Sequence, residues 1–222
     1  MSPMVFYDAT NGRALAFQPR RLVVAGYTGR DRNHVRAHID ELAAQGITAP
    51  ASTPAFYEIP IGLLTQRSEL RVTSVETSGE VEPVLLCTNA GWYLGVGSDH
   101  TARDIERESV ARSKASCGKP VGSWVFPLSH VVERWDAIRV RSRADTIGYQ
   151  EASLSILLPA AEIVAAYQNR PAADADDVAG LVMFLGTVPI SDGKFVYSTL
   201  FDAELISPDG QQIACSYKVV PG

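Results

Sequence analysis

The sequence predicts a mainly β fold with a few peripheral helices, an α+β protein, on three observations. Short runs rich in Val, Leu, Tyr, Phe and Thr recur with two-residue alternation, as in LRVTSVE, EVEPVLLCT and WYLGVGSD. Turn formers such as Asn89-Ala90-Gly91 and Ser207-Pro208-Asp209-Gly210 separate such runs. Only two stretches carry apolar residues at helical spacing.

Taken in order, Arg21 to Tyr27 (RLVVAGY) is a compact β-branched run closing on glycine, which reads as a buried strand. In the next stretch, DRNHVRAHIDELAAQG, Val35, Ile39 and Leu42 recur at helical spacing. Asp31 can open that helix and Gly46 can stop it. His38 and Glu41 then share one face. ITAPASTPAFYEIP holds too many prolines for a regular helix and reads as an extended connection across the surface, the kind of segment that forms a rim or lid. Three strands follow from Leu70: LRVTSVE, EVEPVLLCT and, after the Asn89-Ala90-Gly91 turn, WYLGVGSD. Beyond Pro120, SWVFPL, AIRVRSR, ASLSILLP, LVMFLG, FVYSTLFDAEL and QIACSYKVV read as strands and AAEIVAAYQN as a helix. PAADADD reads as a solvated acidic loop, since it lacks the central glycine and terminal glutamate of a calcium loop.

With 222 residues and 46% hydrophobic content, one domain spanning 1–222 is expected, its first 60 residues supplying an N-terminal strand, a lid-like helix and an extended rim. No run approaches the roughly 20 apolar residues a membrane helix needs. MSPMVFYDATNGRALAF has neither the basic start nor the apolar core of a signal peptide, so a cytoplasmic protein without a membrane partner is expected. The formal charge of −5 and the lack of a Lys/Arg run argue against nucleic acid. Cys87, Cys117 and Cys215 are widely spaced, which indicates reduced, mostly buried thiols instead of a disulfide framework or zinc ribbon. Lysines near Cys117 could lower its pKa.

The most informative chemistry lies in one hairpin. Glu80 and Glu82 are two apart on a strand and project from the same face. A four-residue turn Thr88 to Gly91 places position 80 opposite 99, whereas a turn centred on Ala90-Gly91 places 82 opposite 99. Either register gathers Glu80, Glu82 and Asp99. Like charges held together repel, so a fold that assembles three carboxylates must compensate them, most simply with a divalent cation. All-oxygen ligation favours Mg2+ or Mn2+, with Ca2+ also suited, over zinc. An isolated Glu-x-Glu more often lines a solvated strand face.

Ser78-Gly79-Glu80-Val81-Glu82 followed by GSDHTARDIE resembles the metal-binding core of the fumarylacetoacetate hydrolase-like superfamily. There, a Glu-x-Glu pair and a hairpin precede an aspartate just before a Ser/Thr-Ala-Arg-Asp tetrad, here Asp99 before Thr101-Ala102-Arg103-Asp104. SKASCGKPVGSWVFP is similar to the family's lysine-bearing segment, and Gly180 to Thr187 to its strand ending in Gly-Thr. His38-Ile39-Asp40-Glu41 is similar to its His-x-x-Glu dyad on a mobile helix. The likeness runs from about Gly26 to Thr187 and beyond, and is closest to a bacterial branch described only by a domain of unknown function.

The resemblance implies a mixed β-roll or barrel like the C-terminal domain of those hydrolases, and a homodimer. It also implies a metal-dependent C–C hydrolase or lyase acting on a small 2-oxo acid or 1,3-dicarbonyl acid through a metal-bound enolate, with decarboxylation, hydration and tautomerisation open. Glu80, Glu82 and Asp99 would hold the metal. His38 with Glu41, Lys114 and Arg103 would be catalytic, and Thr187, Gly186 and Glu106 would contact substrate. Four departures bear on these roles. His34 rivals His38, and the short stretch after Asp104 leaves Lys119 as a rival to Lys114. Glu106 stands where relatives carry glutamine, and PAFYEIP lacks their rim lysine. A non-catalytic metal- or metabolite-binding module on the same fold is the alternative.

Overall fold

Apolar residues alternate along the central strands, so opposite faces of one sheet must each find cover. The computed structural model, which describes residues 3–44, 46, 48–170 and 178–222, shows how both are covered. An eight-stranded sheet runs in the order Ala14–Phe17, Met4–Asp8, Trp124–Pro127, Gly91–Ser98, Val81–Thr88, Leu181–Phe184, Arg21–Gly26 and Ala55–Ile59. Two neighbouring pairs are parallel, Met4–Asp8 with Trp124–Pro127 and Leu181–Phe184 with Arg21–Gly26, and the rest are antiparallel. A five-stranded sheet runs Ile147–Ser153, Arg139–Ala144, Leu200–Ile206, Gln212–Pro221 and Glu69–Val72.

Leu22, Val24, Val84, Leu86, Val182 and Phe184 enter one apolar cluster, while Val23, Ala25, Leu85, Leu181 and Met183 enter the other. The second cluster is shared with Ala144, Phe201, Leu205 and Tyr217 of the five-stranded sheet, so the main core lies between the sheets. Each fully buried large apolar side chain contributes on the order of 1.5–3 kcal/mol. The sheets approach so closely at Gly122 that a Cβ there would run into the Ala214 carbonyl.

The mainly β expectation holds, and several elements differ in detail. Among the described residues up to 60 there are four strands, including a hairpin of Met4–Asp8 with Ala14–Phe17. The Asp8 carboxylate closes its turn by accepting from the Thr10 amide (2.8 Å), Thr10 Oγ1 (2.6 Å) and Asn11 Nδ2 (3.1 Å). PAFYEIP is extended as expected, but Ala55–Ile59 is an edge strand paired with Arg21–Gly26. Pro54 and Pro60 lie just outside it, where no ladder N–H is lost. LRVTSVE is strand only as far as Val72, within Glu69–Val72, and a separate short strand, Thr77–Ser78, begins just after it. In ASLSILLP the strand stops at Ser153, whose hydroxyl accepts from Ser155 N (3.0 Å) and starts the 3-10 turn Leu154–Ile156. FVYSTLFDAEL becomes a strand only from Leu200.

The helix Arg32–Ala44 opens as expected, with Asp31 Oδ1 accepting from Asn33 N (2.9 Å) and His34 N (3.2 Å). Val35 is buried, while Ile39 and Leu42 are half-buried, so the helix is only partly packed. Helix Ala160–Gln168 buries Ala160, Ile163 and Tyr167. Three short helices were not expected, Arg103–Glu106, Val110–Lys114 and Leu128–Val131. PAADADD, residues 171–177, lies outside the described residues. Among those residues no helix is long and apolar enough to cross a membrane.

Substituting Gly122→Ala should destabilise the protein by about 1–3 kcal/mol, because backbone and not a pliable side chain would have to yield. Thermal melting should show a Tm several degrees lower; an unchanged Tm would mean that the sheets are not this tightly apposed.

Candidate metal centre

The hairpin register decides what the carboxylates can do. Thr88 pairs with Gly91 across the two-residue loop Asn89-Ala90, and Thr88 Oγ1 accepts from Ala90 N (3.0 Å) and donates to the Gly91 carbonyl (2.8 Å). Gly91 has φ +114°, a conformation other residues rarely adopt. The ladder therefore reaches Val81 opposite Ser98, and the Asp99 amide donates to the Glu80 carbonyl at 3.0 Å. This is the first of the two registers considered from sequence. Glu80, Glu82 and Asp99 each offer a carboxylate oxygen, and the three oxygens lie within 4.8 Å of one another.

Such a cluster needs positive charge, and a set of short elements between residues 98 and 120 supplies it. Thr101-Ala102 pairs with Thr77–Ser78, which carries Arg103 to the hairpin. Arg103 Nε donates to Ser78 Oγ (2.8 Å), Nη1 to Glu106 Oε2 (2.7 Å), and Nη2 lies 2.9 Å from Glu80 Oε1. Ser109 caps helix Val110–Lys114, whose last turn brings Lys114 Nζ onto Asp99 Oδ2. Lys119, on the short strand Lys119–Pro120 beside Leu64–Thr65, places Nζ 2.7 Å from Asp99 Oδ1 and 2.7 Å from the His100 carbonyl. Both rival lysines thus meet the same aspartate. Their burial differs: the Lys119 side chain is 0% exposed, while that of Lys114 retains 10%.

The charges act on one another. Burial pushes the Glu82 carboxyl well above the usual glutamate range, and the Asp99 charge adds to that shift. Burial would raise Asp99 too, but Lys114 and Lys119 outweigh it and hold this carboxyl below the usual range. Burial opposes the charge on Lys114, yet Asp99, Glu80 and Glu82 raise its pKa overall. His100 sits behind Asp99 with Nδ1 2.8 Å from Tyr217 Oη, and burial with the Lys119 and Arg103 charges lowers it to about 3.

The strand Leu181–Phe184 runs antiparallel to the Glu82 strand, with Phe184 opposite Val84. Two residues on, the Gly186 amide donates to Glu82 Oε2 at 2.8 Å. Gly186 has φ +100°, and a Cβ would strike Thr28. Thr187 Oγ1 donates to the Val81 carbonyl (3.0 Å) and accepts from Gln150 Nε2 (2.8 Å), so its proton is committed to the scaffold.

The His38-Glu41 pair is not drawn into this cluster. Their side chains are 56% and 73% exposed, with His38 Nδ1 3.9 Å from Glu41 Oε2. His34 is exposed on the same helix. Tyr27 connects the helix to the cluster: its ring centroid lies 6.2 Å from that of His38, and the Lys114 and Glu106 charges act on its phenol. Tyr27 has φ +58°, a strained conformation for an aromatic residue. Its side chain hydrogen-bonds Tyr57, whose phenol burial raises to about 12. Burial likewise raises the Cys117 thiol despite Lys119, and Cys87, Cys117 and Cys215 form no disulfide.

Sequence reasoning did not find Ser78, Gln150, Tyr27 or Tyr57. Gln150 is fully buried and ties Val81 N (2.9 Å) to the Val188 carbonyl (2.6 Å). No spacing rule marks a lone glutamine in a strand. Tyr27 had a weak signal, a bulky residue following glycine at the end of a strand.

Residues 25–217 match the family described as "protein of unknown function" (DUF2848). No curated protein matches the chain. Among solved structures, a protein of Oleispira antarctica provisionally assigned as a fumarylacetoacetate isomerase/hydrolase aligns with TM-score 0.69 and 18% identity over 99% of this chain and 100% of its own. Fumarylpyruvate hydrolase from Pseudomonas aeruginosa, in complex with Mn2+ and pyruvate, aligns with TM-score 0.63 and 16% identity over 100% and 97%. The 2-hydroxyhepta-2,4-diene-1,7-dioate isomerase of Mycobacterium marinum aligns with TM-score 0.62 and 15% identity over 95% and 82%. At these identities the likeness is one of fold.

With divalent ions chelated, stability should fall as pH rises from the ordinary glutamate range through the elevated pKa of Glu82. Folded Glu82 keeps its proton to a higher pH than unfolded Glu82, so its contribution is complete below the unfolded value and is lost as pH rises. The slope is at most about 1.4 kcal/mol per pH unit. Asp99 acts oppositely, contributing above the unfolded aspartate value and losing its share as pH falls. Urea unfolding at stepped pH measures both, and Glu82→Gln should flatten the rise-of-pH limb; an equal slope in that variant would assign the effect elsewhere.

Proposed function

The chain belongs to this family of unknown function (DUF2848) and has the fumarylacetoacetate hydrolase-like fold; from that premise we propose that it is a divalent-metal-dependent enzyme. Its substrate would be a small 2-oxo acid or 1,3-dicarbonyl acid, cleaved by C–C hydrolysis or decarboxylated. The observation that carries this reading is the gathering of Glu80, Glu82 and Asp99 within 4.8 Å, beside three cations. Three oxygen donors at that spacing suit one ion with ligand distances of about 2.0–2.6 Å, and hard donors favour Mg2+ or Mn2+. The Mn2+ and pyruvate in the Pseudomonas aeruginosa structure lend support by analogy of fold.

Glu80, Glu82 and Asp99 would hold the ion, which when bound supplies Lewis-acid polarisation of adjacent substrate oxygens. The amide of Gly186 orients Glu82, and Arg103 orients Glu80. With its Nε and both terminal nitrogens engaged by Ser78, Glu106 and Glu80, Arg103 serves as a positioning residue. Lys114 is the less enclosed of the two lysines and would present its ammonium to negative charge developing on the substrate, worth several kcal/mol in a water-poor site. Lys119, fully enclosed, would hold Asp99 ionised. Glu106, Gly186 and Thr187 would shape the substrate side. His38, oriented by Glu41, would move the proton to or from substrate carbon or water.

The exposure of His38, apart from the carboxylates, favours a second reading, a non-catalytic metal- or metabolite-binding module. Calorimetric titration of chelator-treated protein with Mn2+ and Mg2+ should give saturable binding that Glu82→Gln and Asp99→Asn each weaken by at least about 10–100-fold, the loss that removal of a mere outer-shell partner of a ligand already causes. A folded wild-type chain that binds neither ion would refute the proposal. Lys114→Met and His38→Ala should keep metal binding but lower turnover of acylpyruvates or oxaloacetate by about 10²–10⁴-fold. Metal-loaded wild-type protein turning over no oxo acid would select the binding module.

A further inference from the structure

The segment following Thr187 carries two aromatic side chains that no packing demand explains. It is pinned along its length: Ile190 bridges to Gln150, Ser191 N donates to the Tyr149 carbonyl (2.9 Å), and the Asp145 carboxylate accepts from Thr199 N (3.0 Å) and Leu200 N (2.9 Å). Between these anchors Val196 packs on the core, while Phe195 and Tyr197, on either side of it, remain 49% and 46% exposed. Phe195 lies against the buried Arg103, with Cζ 4.1 Å from its ring centroid. A half-exposed ring therefore sits one guanidinium away from Glu80.

The charge balance of the cluster limits what can bind beside that ring. Glu80, Glu82, Asp99 and Glu106 face Arg103, Lys114 and Lys119, and each of these cations already meets a carboxylate of the chain. A divalent ion at the cluster leaves one positive charge in excess, enough for a single substrate carboxylate. Glu106 pairs with Arg103 at 2.7 Å and so denies Arg103 to a second one. The Lys114 charge also acts on Tyr27 and Tyr57, both phenols.

Resting on the oxo-acid reading above, we infer that this chain selects monocarboxylates whose distal end is apolar or aromatic and packs on Phe195, against the dicarboxylates that some proteins of similar fold take. The fit is physical: an aromatic or alkyl tail gains by covering a half-exposed ring seated on Arg103, whereas a second carboxylate finds the three cations of the cluster already paired.

The test is calorimetry on the Mn2+-loaded full chain with four probes: pyruvate, 2-oxohexanoate, 2-oxoadipate and 4-phenyl-2-oxobutanoate. The second and third differ only in a terminal methyl or carboxylate. 2-Oxohexanoate should bind at least about tenfold more tightly than 2-oxoadipate, and the phenyl compound most tightly. Phe195→Ala should remove most of the phenyl advantage and leave pyruvate unchanged, and Phe195→Tyr should restore it. Tighter binding of 2-oxoadipate, above all if lost on Lys194→Ala, would overturn the inference. So would an equal loss for pyruvate and the tailed acids in Phe195→Ala, which would make the ring a brace for Arg103. Pyruvate binding without any tail preference sinks this inference alone, whereas a protein that binds no Mn2+ or no oxo acid sinks the proposed function with it.

Discussion

Three carboxylates brought within 4.8 Å, two of them fully buried, form an arrangement that no fold tolerates without compensation, and much of the local structure is explained by that demand. Each acid has its own answer. Glu80 meets Arg103, Asp99 meets Lys114 and Lys119, and Glu82 receives the Gly186 amide. Burial, with the Asp99 charge adding to it, pushes Glu82 toward its protonated form. A divalent ion is the partner that would relieve this group.

The compensating residues come from places with little regular structure of their own. Arg103, Lys114 and Lys119 lie on two short helices and a two-residue strand between residues 103 and 120, while the acids belong to the long hairpin. Rigid strands set the spacing of the acids, and short adaptable segments bring charge to them. Glycines close the arrangement where backbone must approach: Gly186 beside Thr28, and Gly118 beside Leu70 just before Lys119. The helix Arg32–Ala44 is the contrasting case, since Val35 is its one buried residue and its His38 and Glu41 side chains stay exposed. The contact of Tyr27 with His38 marks where that helix meets the cluster.

Much of this was legible in the amino-acid order. The mainly β composition, the helix opened at Asp31, the same-face placement of Glu80 and Glu82, and the meeting of Asp99 with them all follow from periodicities of 2 and 3.6 and from turn chemistry. Those rules act over a few residues, so local sequence determines them. They did not reach the strand in PAFYEIP, where pairing to Arg21–Gly26 decides between extended coil and strand, or the end of the strand at Ser153, where a hydroxyl redirects the backbone.

What only the tertiary structure decided is the set of partners. Lys114 and Lys119 are equivalent by spacing, and packing alone made one fully enclosed and left the other partly open, because one sits on a strand under the core and the other on the last turn of a helix. Phe195 is 92 positions from Arg103 in the chain and stacks on it. Gln150 and Ser78 find their roles in the same way. The sequence by itself determined which residues could bear charge and which face of a strand they would occupy. Which charges meet, and which lose their water, depends on contacts between segments far apart in the chain, and no local rule encodes those.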